Sequence, residues 1–309
     1  MQTTISRPAT FSGTGLHSGQ EVCVRIRPAP ADTGILLRRT DPAGMGAVIP
    51  ARWTNVVDSR LCTRLENGEG IGVSTVEHLM AALAGCGIQN ALVDIDGPEL
   101  PILDGSAAPF VHGILSAGRR HLDAELRAIR VLEPIEVRSG DAMARLEPAQ
   151  ALEIAFSIDF VDAAIGQQGL HLHMANGTFV HELSDSRTFC RLRDVTEMQS
   201  AGLALGGTLE NAVVIEGDRV LSPGGLRHAD EPVRHKMLDA LGDLALAGAP
   251  LLARYVGLRA GHALTAELLR ALFARPDAWA LEVLDDAALD SLPGAGLEAE
   301  AVMPLRATA

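Results

Sequence analysis

In VRHKMLD (233–239) an imidazole, His235, and a carboxylate, Asp239, stand four residues apart. On a helix that spacing is just over one turn, so both side chains lie on one side and can grip a single ion. Between them sits Lys236, the only lysine in a chain with 26 Lys+Arg. A compact ammonium suits a phosphate or an oxyanion where a planar guanidinium would not serve as well. A second histidine, His78 in TVEHLM, directly follows Glu77. Two imidazoles and one carboxylate leave a fourth position on a tetrahedral zinc for water. Glu77, adjacent to a ligand without being one, stands where a general base must to deprotonate that water. An isolated H-x-x-x-D is more often ordinary helix surface than a metal site. The Glu77-His78 pair, the single lysine and the further helix-face carboxylate Asp243 weigh toward chemistry.

His262, in AGHA after a strand-like run, suits a side chain exposed at a strand end. A carboxylate beside it, such as Asp243, would hold the imidazole protonated; a surface histidine and a solvated aspartate are the plainer alternative. His171 and His173 in LHLHM share one face of a strand and could also chelate a metal. No carboxylate stands beside them in sequence, so a structural role is expected. His228 and Asp230 are a weaker pair. Asp104-Gly105-Ser106 lacks the G-x-S-x-G pattern of a nucleophile elbow and reads as a turn, as does Gly206-Gly207. Phe189, Leu192, Val195, Met198, Ala204, Ala212 and Val214 either line a groove or simply pack a core.

Several elements must position these groups. Alternation predicts strands at 21–27 and 90–96. A helix is expected over 75–85, capped by Ser74 or Thr75 and stopped at Gly85, and another over 111–117. The charged stretch 118–130 is the candidate boundary between two domains, 1–125 and 126–309. Strands follow in IEVRSG, AMARLEP, LEIAFSIDF and LHLHM. Next come a helix over 191–202, a strand over 211–217, and a long helix over 232–247 with Pro232 in its first turn. ARYVGLRAGH reads as a strand leading into a helix at 265–274. The acidic, Gly/Pro-containing stretch from about Asp285 is expected to be loosely held. Val76-Glu77-His78-Leu79-Met80 and Val233-Arg234-His235-Lys236-Met237 share the pattern V-x-H-x-M, as two similar α/β units would if each offered one histidine to a shared cleft.

Composition narrows the partners. The chain has 309 residues, 47% hydrophobic and 21% charged, enough for a folded protein with two cores. A net charge of −13 with no basic run argues against a general nucleic-acid binder, yet leaves room for an anionic small substrate. The N-terminal residues have no apolar run of the signal-peptide kind. The longest apolar stretch, Leu244–Leu258, is interrupted by Pro250 and Arg254 and is too short to span a bilayer. Four scattered cysteines without a C-x-x-C fit reduced thiols in a cytoplasm.

Six stretches carry a resemblance: GTGLHSG (13–19), STVEHLMAALAGCGIQNALVDIDGPELPILDGSAAPF (74–110), SRTF (186–189), RDVTEMQSAGLALGG (193–207), VRHKMLDALGD (233–243) and GHAL (261–264). Together, and in this order, the chain resembles the UDP-3-O-acyl-N-acetylglucosamine deacetylases, zinc amidases of lipid A biosynthesis. The resemblance implies an α+β fold of two similar two-layer α/β sandwich domains with the active site between them. It implies hydrolysis of the N-acetyl group of UDP-3-O-acyl-N-acetylglucosamine to UDP-3-O-acyl-glucosamine and acetate. His78, His235 and Asp239 would hold zinc, with Fe2+ as a possible occupant, and Glu77 would be the base. His262 would be the acid or oxyanion partner, oriented by Asp243, while Thr188 polarises the acetyl carbonyl. Phe160, Asp194 and Lys236 match sugar-nucleotide contacts. Leu16, Leu192, Val195, Met198, Ala204, Ala212 and Val214 match an acyl-chain passage, with Phe189 beside it. Cys190 and Arg259 depart from the usual glycine and lysine, and IDFVDAAIG lacks the usual His-Pro. A cytoplasmic monomer acting on a UDP-sugar acyl substrate is the expectation. Two histidines and a carboxylate also describe a non-haem Fe(II) oxygenase, which would need oxygen and a co-substrate. A sugar-nucleotide binding module with a structural metal would want a fourth protein ligand.

Overall fold

The computed structural model describes residues 1–59 and 61–297. One sheet has five strands in the order Ala9–Thr14, Glu21–Pro28, Ala91–Ile95, Ile35–Arg39, Val48–Pro50. All its pairings are antiparallel except Ile35–Arg39 with Ala91–Ile95. Along Glu21–Pro28, Val22, Val24 and Ile26 are buried and their neighbours are not, the period-2 pattern of a strand with one face on a core. A second sheet of seven strands is built around Leu251–Leu258, which pairs with Ala142–Pro148, Arg127–Val131 and Glu153–Asp159. Gln167–His173 pairs only with Glu153–Asp159 and forms an edge. The fold is α+β, as the resemblance implies.

Helices α1 (Glu77–Gly85), α2 (Ala108–Ala117), α3 (Leu192–Ser200), α4 (Glu231–Ala245), α5 (His262–Phe273) and α6 (Asp286–Asp290) complete the secondary structure used below. α4 lies on strands 153–159 and 167–173, α5 lies on strands 135–139 and 142–148, and α1 packs on α4. In α1, Leu79, Met80, Ala81, Ala82 and Leu83 are all buried, as expected of a helix enclosed on every side. The contact between α1 and α4 is backbone-close. A Cβ at Gly242 of α4 would lie 2.0 Å from the Glu77 carbonyl oxygen, so only glycine lets the helices meet there. That close approach brings the two V-x-H-x-M segments together.

Three expectations are corrected. Neither Ser74 nor Thr75 caps α1 with its side chain. Thr75 takes φ +58°, and its hydroxyl donates instead to Glu99 (2.8 Å). A β-branched residue in that region is strained, and the strain sits immediately before the segment that carries Glu77 and His78. α5 begins at His262 rather than 265, so His262 is in a helical first turn and not at an exposed strand end. Within the charged stretch 118–130, Arg119–His121 pairs with Thr3–Ile5, and Arg127–Val131 enters the second sheet. Residues 285–297 are docked: Asp285 caps α6 by accepting from Ala288 N (2.9 Å), and Leu284 and Leu292 pack with Leu126, Ala128 and Leu252. The rest of that expectation, from 298 on, lies outside the described residues. No described helix is long and apolar enough to cross a membrane.

Candidate active site

Asp239 Oδ1 is buried and has no hydrogen-bond partner among the described residues. His235 Nε2 lies 3.3 Å from it and His78 Nε2 3.6 Å, and the two rings are perpendicular with centroids 5.0 Å apart. Bonds of about 2.0–2.2 Å arranged tetrahedrally put neighbouring donors roughly 3.3–3.6 Å apart. The three side chains therefore fit a divalent ion, and the orphaned oxygen is what such an ion would satisfy. His235 Nδ1 donates to the Ser186 carbonyl (3.0 Å), which leaves the Nε2 lone pair facing the site. Burial lowers the His235 pKa to about 4, so the ring is neutral and able to ligate. Burial works to raise the Asp239 pKa, but His235 and Lys236 hold it well below the usual carboxylate range. Lys236 Nζ donates to Asp239 Oδ2 (2.6 Å) and reaches the same cavity.

Glu77 and His262 face each other across this cluster, with Glu77 Oε1 3.9 Å from His262 Nε2. Burial raises the Glu77 pKa, against the pull of His262 and His78, which suits a carboxylate that must accept a proton. Burial alone would lower the His262 pKa, but Asp243 outweighs it and raises it to about 9. The cause is geometric, since His262 Nδ1 donates to Asp243 Oδ2 at 2.8 Å. Thr63 ties the pair together. Its N–H donates to Glu77 Oε2 (3.0 Å) and its hydroxyl to Asp243 Oδ1 (2.5 Å). No motif in the sequence marks Thr63, because its two partners become neighbours only when α1 meets α4.

A cavity of about 970 Å³ opens from this cluster. Its walls include Glu77, His78, His235, Lys236, Asp239, His262, Thr188, Phe160, Phe189 and Asp194. They also include every residue expected of the acyl passage: Leu16, Leu192, Val195, Met198, Ala204, Ala212 and Val214. Asp243 does not line it and stands behind His262. Phe160 and Phe189 meet edge to face, centroids 5.5 Å apart. The Asp194 carboxylate accepts from Arg191 (2.6 Å), so cationic groups accompany it at this wall. His17, also on the wall, was not singled out from sequence. It sits on a loop pinned by the buried carboxylate of Glu99, which accepts from the His17 and Ser18 N–H groups (2.9 and 2.7 Å).

The other candidates fall elsewhere. His228 pairs with Asp185 (2.8 Å), and Ser106 bonds Asp104 in a turn. Gly206 packs on the Gly15 carbonyl, where a Cβ would come within 2.3 Å. The pair His171/His173 does have a carboxylate neighbour, Glu153, supplied by the adjacent strand. Sequence proximity could not reveal that partner.

A family model described as LpxC: UDP-3-O-acyl N-acetylglycosamine deacetylase matches residues 2–274. The chain belongs to this family. A UDP-3-O-acyl-N-acetylglucosamine deacetylase from Phenylobacterium zucineum (strain HLK1) is 51% identical over 278 residues, covering 90% of this chain and 95% of the relative. Relatives of the same name from Shewanella sp. (strain W3-18-1) and Shewanella oneidensis are each 45% identical over 282 residues, covering 91% of this chain and 92% of theirs. The oxygenase alternative finds no support in these relatives. The same three-residue cluster is flanked by Glu77 and His262.

Proposed function

We propose that this chain removes the acetyl group from UDP-3-O-acyl-N-acetylglucosamine, giving UDP-3-O-acyl-glucosamine and acetate, a step of lipid A biosynthesis. Membership of the deacetylase family supports the reaction class, and one observation carries the residue assignment: the buried, unpartnered Asp239 oxygen between two imidazoles, with Glu77 and His262 on either side. His78, His235 and Asp239 hold the metal, which we take to be Zn2+, with Fe2+ as the other candidate. Bound there, the ion supplies Lewis acidity that activates water and polarises the amide carbonyl.

Every other part belongs to the chain. Glu77 takes a proton from the attacking water. Its raised proton affinity suits it to that task, and the Thr63 N–H fixes one of its oxygens so that the other faces the cluster. Thr188 donates to the carbonyl oxygen as it gains charge. His262, kept protonated by Asp243, delivers a proton to the departing sugar nitrogen. Lys236 offers its remaining N–H donors to the anionic substrate. Phe160, Phe189 and Asp194 flank the sugar nucleotide, and the apolar wall from Leu16 to Val214 takes the acyl chain. The substrate is thereby stretched from a polar end to an apolar one, which fixes the acetamide beside Glu77.

We divide the chain at 125/126. The division is supported by the five- and seven-stranded sheets drawing on strands from opposite sides of it. A cytoplasmic monomer is the state we assign. The deciding experiment incubates purified protein with the UDP-sugar substrate, with and without a chelator, and measures acetate. Metal-dependent acetate release is expected. Its absence in protein verified to hold one equivalent of Zn2+ would overturn the assignment.

A further inference from the structure

We propose a second divalent-metal site, on the outer face of the seven-stranded sheet, formed by Glu153, His171 and His173. It is independent of the deacetylase reaction and rests on none of the assignments above. In the antiparallel register His173 lies directly opposite Glu153, and His171 lies opposite Ala155. Residues two apart on a strand share a face, so both imidazoles and the carboxylate project to the same side. That side points away from α4: Ile154, Phe156 and Ile158 on one strand and Leu170 and Leu172 on the other pack into the core, leaving the intervening residues outward.

The three side chains already converge. Glu153 Oε2 lies 3.0 Å from His171 Nε2 and Glu153 Oε1 3.6 Å from His173 Nδ1. The two rings are 5.3 Å apart, and one ligand atom from each of the three residues lies within 4.8 Å of the others. A small contraction closes these donors onto one ion, and two imidazoles with a carboxylate select borderline cations such as Zn2+, Ni2+ or Cu2+ over Mg2+ or Ca2+. The imidazoles are 43% and 67% exposed, so solvent reaches the site freely and water completes the coordination. The site therefore binds more weakly than the buried cluster and fills after it. An ion there staples the edge strand 167–173 to its single partner.

Isothermal titration of metal-free protein with Zn2+ tests this directly. Two classes of site are expected, one equivalent each. In the double variant His171→Gln/His173→Gln the weaker class disappears, while the tight class and acetate release are unchanged. Glu153→Gln alone weakens it by at least about tenfold, on the scale seen for groups supporting a metal site. Cu2+ added to Zn2+-loaded protein should give an electron paramagnetic resonance spectrum with hyperfine structure from two nitrogens, absent in the double variant. A single equivalent of Zn2+ in the wild-type protein, or a second equivalent surviving in the double variant, overturns the proposal.

Discussion

Asp243 is the carboxylate whose removal has the most specific consequence. In Asp243→Asn the side chain keeps its size and can still accept from Thr63, but it loses the charge that raises the His262 pKa to about 9. The imidazole then falls toward its ordinary value, about 6.5, with burial opposed only by Glu77 and Asp239; at about 1.36 kcal/mol per unit, roughly 3 kcal/mol of preference for the protonated ring is lost. The sign follows from the role. His262 must be protonated to act as an acid, so activity is retained below its pKa and lost above it. At pH 8 a group with pKa near 9 is about 90% protonated and one near 6.5 about 3%, a loss of roughly thirtyfold, whereas at pH 6 the two differ by less than about twofold. A bound dication lowers both values alike, so the displacement between the two proteins survives even if each limb moves. The assay is kcat/KM for acetate release from pH 5.5 to 9.5 on both proteins at matched metal content. The expected result is an alkaline limb moved down by about two units or more, with activity recovering toward pH 6. A variant profile parallel to that of the wild type, lowered equally at every pH, would refute the electrostatic account of His262.

Three further outcomes follow from the geometry. Thr63→Val strips the hydroxyl from a buried carboxylate, a cost of about 1–3 kcal/mol, so kcat should fall roughly tenfold or more with KM little changed. Thr63→Ser should restore it; equal losses in both variants would remove Thr63 from the catalytic arrangement. Gly242→Ala puts a methyl against the Glu77 carbonyl, and overpacking of this kind costs about 1–3 kcal/mol. Thermal denaturation should show a lower Tm and the assay a reduced kcat, and an unchanged Tm would mean that α1 and α4 can part freely. Met198→Trp narrows the apolar wall of the cavity, so KM should rise for long acyl chains and stay level for short ones. The same rise for every chain length would place the acyl group elsewhere.

The candidate metal cluster, Glu77 and Lys236 were legible in the sequence because their chemistry is local, whereas Thr188, Phe160, Asp194 and Leu16 were expected only from the family resemblance. The spacing of His235 and Asp239 on one helix, the Glu77-His78 step and the single lysine each state a geometry that holds in any fold with those helices. Strands such as 21–28 and 142–148 were likewise written in alternation, and α1 and α4 in their apolar content. What the sequence could not state was any contact made across the fold. Thr63 meets Glu77 and Asp243 only because Gly242 lets α1 and α4 touch. The hydroxyl of Thr75 is drawn from its expected cap to Glu99, and His262 starts a helix in place of ending a strand. Glu153 joins His171 and His173 through strand register, and the segment 285–297 is held by apolar contacts to residues far along the chain. Periodicity and spacing encode what one element presents, whereas pKa values, the hydrogen bonds that link Glu77 to His262 through Thr63 and Asp243, and the open cavity depend on which elements press together, and only tertiary packing decides that.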